Sequence, residues 1–270
     1  AVVGLESGSS GATAALRFAD GSSVEVDAII GADGIHSAVR SALLGERPAR
    51  FSRAVAYRAL IPRKALPDSR VDVTNRLGPG AHVVTYVIGR DDHLVNLVCV
   101  VPESTWRTES WTEAGSVDDL RFFFSEWSTS LNSILDVAPE TVYRWALHDR
   151  EPLQQWGIGK VTLLGDACHP MLPFMAQGAC QAIEDAWAVS EAISSLESAT
   201  DGESISAALR RYEHSRQERT AKVQSLSYRN RDVYHLPDGE AQVRRDVAMR
   251  ARSGGFSDLD WLYGFDPTGI

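Results

Sequence analysis

The chain has 270 residues, 44% of them hydrophobic and 23% charged, with a formal net charge of −9. That length allows one large domain or two smaller ones around a full core. The acidic balance argues against a nucleic-acid or anionic-membrane surface. No apolar run reaches membrane-spanning length or completes a signal peptide, so a cytoplasmic protein is expected.

Residues 1–31 read as a meander. Ala1 to Leu5 is apolar, Gly8-Ser-Ser-Gly11 reads as a turn, and Ala15 to Phe18 alternates. Asp20-Gly21 marks a tight turn before Val24–Ile30, because glycine tolerates positive φ. The chain opens inside a strand pattern at Ala1, which reads as a fragment or truncated form. Ile35–Leu44 predicts a short helix capped near Asp33 or Gly34. Four β-rich runs follow, Ala54–Ile61, Arg70–Arg76, Ala81–Ile88 and His93–Val101, divided by turns such as Gly78-Pro-Gly80. They predict a mostly antiparallel sheet. Residues 103–136 carry Val117, Leu120, Phe123, Phe124 and Trp127 at helical spacing, and Val142–Leu147 returns to strand.

A short apolar run then ends in Gly165-Asp166, within Val161-Thr-Leu-Leu-Gly-Asp-Ala-Cys-His-Pro170. Pro173 follows, and Gln177-Gly-Ala-Cys180 opens a helix to Leu196. Its predicted apolar stripe is Ala179, Ala182, Ile183, Ala186 and Ile193. A charged helix over about 204–230 alternates in sign and reads as a solvated face. His169 and Trp187 read as packing residues. Cys99, Cys168 and Cys180 form no CxxC and read as reduced thiols. Cys168 beside His169 has no partner cluster, so no metal site is expected.

Several residues suit chemistry. Asp166, at a strand end, can accept hydrogen bonds from sugar hydroxyls. The first N–H groups of the Gln177–Cys180 helix start can face an anion or a polarised carbonyl, and Gly178 permits close approach. His82 and Tyr86 lie four residues apart in a strand and so point to one face. A neutral His can take a phenolic proton and a Tyr can orient the substrate oxygen. The alternative is a half-buried sheet His with an aromatic neighbour.

These stretches, with Asp27-Ala-Ile-Ile-Gly-Ala-Asp-Gly-Ile-His-Ser-Ala-Val-Arg40, resemble the downstream flavin motifs of the single-component aromatic-ring hydroxylases. These are the FAD-dependent monooxygenases of the salicylate, 3-hydroxybenzoate and 6-hydroxynicotinate hydroxylase group. The resemblance implies an α/β fold, with a discontinuous, incomplete Rossmann-like FAD-binding domain over 1–50 and 148–200. A substrate domain over 51–147 and a helical C-terminal region over 201–270 complete it. It implies FAD as cofactor, NADH or NADPH as cosubstrate, and a small aromatic substrate hydroxylated with O2 through a flavin C4a-hydroperoxide. A monomer or homodimer is expected.

By resemblance, Asp33, Gly34, Arg40, Gly165, Asp166, Pro173, Gly178, Ala179 and Cys180 contact FAD, and Pro173 also borders the substrate. His82, Tyr86 and Gln177 act on the substrate, Arg58 meets a substrate carboxylate, and His36 and Arg150 serve NAD(P)H. Val87 stands where relatives usually carry Pro. The N-terminal G-x-G-x-x-G fingerprint of such proteins is not found; Gly157-Ile-Gly159 is too short for it. Two other readings stay open: a non-catalytic truncated paralogue or interaction module, and a related flavin epoxidase.

Overall fold

The computed structural model describes residues 1–7, 14–66, 72–91, 93–105, 113–194, 196, 202–251 and 257–269. The expected turn at Gly8–Gly11 and the start of the Arg70–Arg76 strand lie outside them. The chain divides into two compact units: Ala1–Arg50, His148–Asn230 and Gly254–Ile270 form the first, and Phe51–Leu147 with Arg231–Ser253 the second. The stretch 201–270, expected as a helical tail, is shared between them.

In the first unit, β1 (Val2–Ser7), β2 (Ala14–Phe18) and β3 (Ser23–Val26) form an antiparallel meander. Gly21 takes φ +85 at the second turn, where Asp20 accepts hydrogen bonds from the Ser22 backbone N–H and hydroxyl. β4 (Ile29–Gly31) pairs in parallel with a strand that enters more than a hundred residues later, Val161–Leu163. Between them α1 (Ala38–Leu44) begins later than the spacing predicts. Its N-cap is Ser37, whose hydroxyl accepts from Arg40 N at 2.8 Å.

The second unit is built on a six-stranded sheet. In chain order its strands are β5 (Arg50–Pro62), β6 (Thr74–Gly78), β7 (Ala81–Ile88), β8 (Leu94–Pro102), β9 (Glu113–Ser116) and β10 (Thr141–Asp149). In space the order is β6-β7-β8-β5-β10-β9. Alternation along the strands is clean. The odd-numbered side chains Val55, Tyr57, Ala59, Ile61, Ala81, Val83, Val95, Leu97, Cys99 and Val101 all enter one apolar core. α2 (Val117–Phe123) and α3 (Thr129–Asp136) contribute Leu120, Leu131 and Leu135 to it. At Gly78 a Cβ would fall 2.4 Å from the Trp127 ring, so glycine is what lets that indole lie on β6.

Residues 103–136 are therefore not one helical stretch. Glu113–Ser116 pairs with β10, and the Ser116 and Ser128 hydroxyls cap two separate short helices.

The strand Val161–Leu163 is β11; α4 (Gly178–Ser194), α5 (Gly202–Tyr234), α6 (Glu240–Ala251) and α7 (Asp260–Tyr263) follow. The predicted apolar stripe of α4 is corrected by the structure: Ile183 is 70% exposed, and Trp187, expected to pack, is 42% exposed. The buried face is instead Gln181, Asp185, Ala188 and Val189. The charged face of α5 is likewise not simply solvated: Arg216 is fully buried, with Glu213, Thr220 and Gln224 close to it in burial. Arg216 of α5 pairs with Asp185 and Gln181 of α4, while Glu213 accepts from Thr162 and Gln224 donates to the Arg150 and Pro170 carbonyls, partners that binary patterning cannot show. Among the described residues no helix is long and apolar enough to cross a membrane.

Candidate functional site

β4 and β11 run parallel, and both end at the same edge of the first unit. Gly31 permits this pairing to seat tightly, since a Cβ there would meet Val39 at 2.7 Å and Leu163 at 2.9 Å. The chain leaves β4 through Ala32-Asp33-Gly34 and β11 through Gly165-Asp166. Carboxyl ends of parallel strands are where α/β sheets bind ligands.

Here they border a cavity of about 550 Å³, completed by Met171–Pro173, by Ala176 and Gln177 just before α4, and by Gly178, Ala179 and Ala182 of that helix, while Cys180, expected at the cofactor, is not in its lining. That volume lies in the range of small-molecule and cofactor sites. Gly165 turns the chain with φ +61, and Ala176 takes φ 52 just before α4. Pro173 starts the short 3-10 turn Pro173–Met175 and is exposed into the cavity mouth.

The cavity accepts a flavin-like group on two counts. A Cβ on Gly34 would meet nothing within 4 Å, and one on Gly178 only Met171 at 4.0 Å, so backbone is open there to a close-lying ligand. The first N–H groups of α4, at Gly178, Ala179 and Cys180, carry the partial positive charge of a helix start. Asp166 is exposed beside them; desolvation by the surrounding walls raises its carboxyl pKa, with His169 opposing.

The turn bearing Asp166 is pinned from below. The Gly165 N–H donates to Asp185 Oδ2 at 3.0 Å, and His169 Nε2 lies 2.5 Å from the same oxygen. Arg216 Nε donates to Asp185 Oδ1 at 2.8 Å and Arg216 Nη2 to Gln181 Oε1 at 2.8 Å. Arg219 adds a two-pronged contact to Glu184 at 2.7 and 2.9 Å. Burial would raise the Asp185 pKa, but His169 and Arg216 outweigh it and hold the carboxyl below its ordinary value. Arg216 was not foreseen, because its partners sit on another helix. His169, expected to pack, is part of this network.

Asp33 works within its own loop. Its carboxylate accepts from Ser37 Oγ at 2.5 Å, Ala38 N at 2.8 Å and Val39 N at 3.1 Å, occupying the start of α1. Burial pulls its pKa up, but these hydrogen bonds win and it lies low. Arg40 and Arg150 both donate to the Ile35 carbonyl, at 3.1 and 3.2 Å. Burial, then the charge of Arg150, lowers Arg40 to about 10. His36 is exposed on the same loop. Gln177 is 6% exposed, and its Oε1 accepts from Gln181 Nε2 at 3.2 Å. Cys180 is exposed, unlike buried Cys99 and Cys168.

In the second unit the even-numbered positions form the face opposite the apolar core. The registers His82↔Val100↔Ala56, Val84↔Val98↔Arg58 and Tyr86↔Asn96↔Leu60 put His82, Tyr86 and Arg58 on it together. Its His82 end is sealed, with Ala56, Val100 and His82 at 0%, 1% and 2% exposure, while Leu60 at the other end is 50% exposed. Arg58 stacks over Trp145 at 4.6 Å, and its Nε is buried without a hydrogen-bond partner among the described residues. Burial lowers its pKa, and Tyr86 partly offsets that.

His235, which the sequence did not single out, lies against this face. Its Nε2 is 2.7 Å from His82 Nδ1, and the rings stack with centroids 5.0 Å apart. Tyr234 meets His82 edge-on at 5.5 Å. Burial, then the neighbouring His235, pushes His82 down to about 3; burial, then Arg231, brings His235 to about 4, with Asp232 opposing.

Known proteins resemble this chain in sequence and in fold. The chain is 39% identical over 257 residues to 3-amino-4-hydroxybenzoate 2-monooxygenase PtnB3 of Streptomyces platensis, covering 94% of this chain and 63% of that protein. It is 35% identical over 243 residues to 3-hydroxybenzoate 6-hydroxylase of Polaromonas naphthalenivorans, covering 88% and 58%. It thus spans less than two thirds of the length of these curated relatives. Among solved structures, a salicylate hydroxylase substrate complex superposes with a TM-score of 0.84 at 27% identity, covering all of this chain and 68% of that one. HpxO of Klebsiella pneumoniae, complexed with FAD and uric acid, gives 0.77 at 27% identity, covering 96% and 63%. With the FAD binding domain model matching residues 1–227, across both strand-end loops and the α4 helix start, the chain belongs to the FAD binding domain family.

Proposed function

We infer that the chain is the flavin- and substrate-binding part of a monooxygenase that hydroxylates a small phenolic aromatic acid, with NADH or NADPH as reductant and O2 as oxidant. The observation that carries this reading is the shared sheet face of His82, Tyr86 and Arg58, in a chain whose other unit has a cavity of cofactor-site size at the ends of its parallel strands. The names of the similar hydroxybenzoate monooxygenases support it.

Bound FAD supplies the redox chemistry and the activation of O2. Asp166 would accept hydrogen bonds from its ribityl hydroxyls, and the N–H groups of Gly178, Ala179 and Cys180 would face its electron-rich edge. Arg40 and Arg150 stiffen the Ile35 loop, through which His36 and Arg150 would serve the nicotinamide nucleotide.

On the sheet face, Arg58 meets a carboxylate. Its partly buried guanidinium has no ion-pair partner among the described residues, so an incoming carboxylate would stabilise a charge that burial penalises. Tyr86 orients the phenolic oxygen. His82 takes the phenolic proton, which makes the ring electron-rich at the carbon to be hydroxylated. Its low pKa in the free protein does not forbid this, because the phenolate formed beside it favours the imidazolium. Free cysteines and the demand for NAD(P)H suit a cytoplasmic protein.

The test is a screen of hydroxybenzoates and hydroxypyridines against the purified protein. It should be yellow, release flavin on denaturation, and with at least one phenolic acid give an oxygenated product as NAD(P)H is consumed. A colourless protein that takes up no FAD on reconstitution would sink the reading.

A further inference from the structure

We propose that Asn96 is a specificity-determining residue of the sheet face, its side-chain amide binding an amino or hydroxyl group that the substrate ring carries beside its phenol and carboxylate. The inference rests on the hydroxylation of a phenolic acid proposed above.

Asn96 is out of pattern with its strand. It interrupts the apolar run Leu94-Val-Asn-Leu-Val-Cys-Val-Val101 of β8, which has a strand on either side. Asparagine is disfavoured in such a place. Its neighbours Val95 and Leu97 enter the apolar core, so Asn96 lies on the opposite face, between Tyr86 and Leu60 in the ladder. That row is the open end of the face, away from the sealed His82 row and next to the row of Arg58.

Only 7% of Asn96 is exposed, yet no hydrogen bond reaches its amide among the described residues. His82 and Thr85, buried polar residues of neighbouring β7, do have partners, in His235 and Arg76. Nor is the amide sealed: its oxygen and nitrogen each keep some contact with solvent. The Tyr86 hydroxyl beside it and Arg58 Nε diagonal to it likewise lack hydrogen-bond partners among the described residues. A guanidinium, a hydroxyl and an amide thus converge on adjacent rows with their hydrogen bonds unspent.

Their chemistries divide the ligand among them. Arg58 can only donate, which suits the carboxylate, and Tyr86 holds the phenolic oxygen. Asn96 Oδ1 can only accept, so it requires a hydrogen on the ligand: the N–H of an amino group or the O–H of a second hydroxyl. Water can fill that role in the free protein. A ring that displaces this water with a bare C–H edge leaves the amide unsatisfied. Asn96 therefore works against the unsubstituted ring as much as for the substituted one.

The experiment is calorimetric titration of the purified protein with hydroxybenzoic acids in pairs, the members of each pair differing by one added amino or hydroxyl group. In at least one pair the parent protein should bind the substituted acid roughly ten- to hundredfold more tightly. Asn96→Val should erase that ratio by weakening the substituted acid, with the plain acid changed by less than about twofold. Asn96→Thr, of the same shape but with a hydroxyl, should restore part of the ratio. If Asn96→Val does not fold, Asn96→Leu carries the same prediction. A ratio confined to amino-substituted acids, or to dihydroxy acids, supports the proposal and identifies the group. No ratio in any pair, an equal loss for both members in Asn96→Val, or identical ratios in the Val and Thr variants overturns it. Failure of the parent protein to bind any of these acids would instead sink the hydroxylase reading itself, and the role of Asn96 with it.

Discussion

Two buried histidines of this molecule have opposite neighbours. His169, 1% exposed, points Nε2 at the carboxylate of Asp185, which Arg216 also holds. His82, 2% exposed, has a second imidazole at its Nδ1, that of His235. The first environment locks the ring in a charged, hydrogen-bonded network of Asp185 and Arg216. In the second, burial and the neighbouring imidazole disfavour the charged ring. One histidine therefore braces a turn, and the other carries the proton-accepting role proposed for it. Burial alone distinguishes nothing here; the partner does.

The largest effects should separate these roles. His82→Ala removes the proposed proton acceptor, a contribution typically worth about 10²–10⁴-fold in rate. Hydroxylation should slow by that order while FAD stays bound, since His82 belongs to the second unit. NAD(P)H oxidation should continue in part and yield hydrogen peroxide, and product per NAD(P)H measures the split. An unchanged rate and coupling would return His82 to a packing role.

Asp185→Ala should act through structure instead. It leaves the fully buried Arg216 with Glu184 as its remaining carboxylate among the described residues and frees the Gly165 N–H, and breaking a buried pair typically costs about 3–5 kcal/mol. Urea unfolding should show that loss, and flavin release should accompany it because the Asp166 turn is no longer pinned. A variant within about 1 kcal/mol of the parent that still holds FAD would show that the network does not support the cavity.

The contrast also explains what was legible in the sequence. Period-2 alternation fixes which residues share a face, so β7 spans Ala81–Ile88 as expected and His82 and Tyr86 do lie together. Asp20-Gly21 announces its turn because only the local backbone matters there. Side chains paired across distant segments are different. Nothing near Asp185 predicts Arg216, and nothing near His82 predicts His235, because a buried polar residue is tolerated only by a partner that local pattern does not encode. The same blindness misplaced the buried face of α4, where an apolar count favoured Ile183 over Asp185. The segment over 103–136 failed for another reason. Its apolar spacing is helical, but the Ser116 and Ser128 caps cut it, and Glu113–Ser116 gains ladder partners only when β10 is present.

A smaller effect should come from Arg58. Its carboxylate contact is a charge-assisted hydrogen bond, worth roughly 1.5–3 kcal/mol. Arg58→Met should raise KM for an aromatic acid by roughly ten- to hundredfold, in line with that energy, and change little for the matching phenol without the carboxylate. Equal losses for both substrates would mean that Arg58 holds the sheet rather than the ligand.

The smallest effect is on acid stability, and it tests the comparison itself. A histidine whose folded pKa lies below its unfolded value of about 6.5 is bound to fewer protons when folded. For His82, lowered to about 3, stability therefore falls as pH drops from the unfolded value towards 3, and is fully present only above that window. At pH 5 the loss should be about 2 kcal/mol relative to neutral pH, with His235, at about 4, adding a coupled share. Asp185 acts with the same sign but in a lower pH window. Its folded pKa lies below the ordinary carboxylate value, so the stability it adds persists through pH 5 and is lost only as pH falls through that still lower folded value. Unfolding followed at pH 7, 5 and 3 should thus show His82→Gln/His235→Gln flattening the upper part of the profile, and Asp185→Asn only the lowest part. If the double histidine variant kept the full loss between pH 7 and 5, the uncharged pair would not be the acid-sensitive element, and the distinction between the two histidines would lose its electrostatic basis.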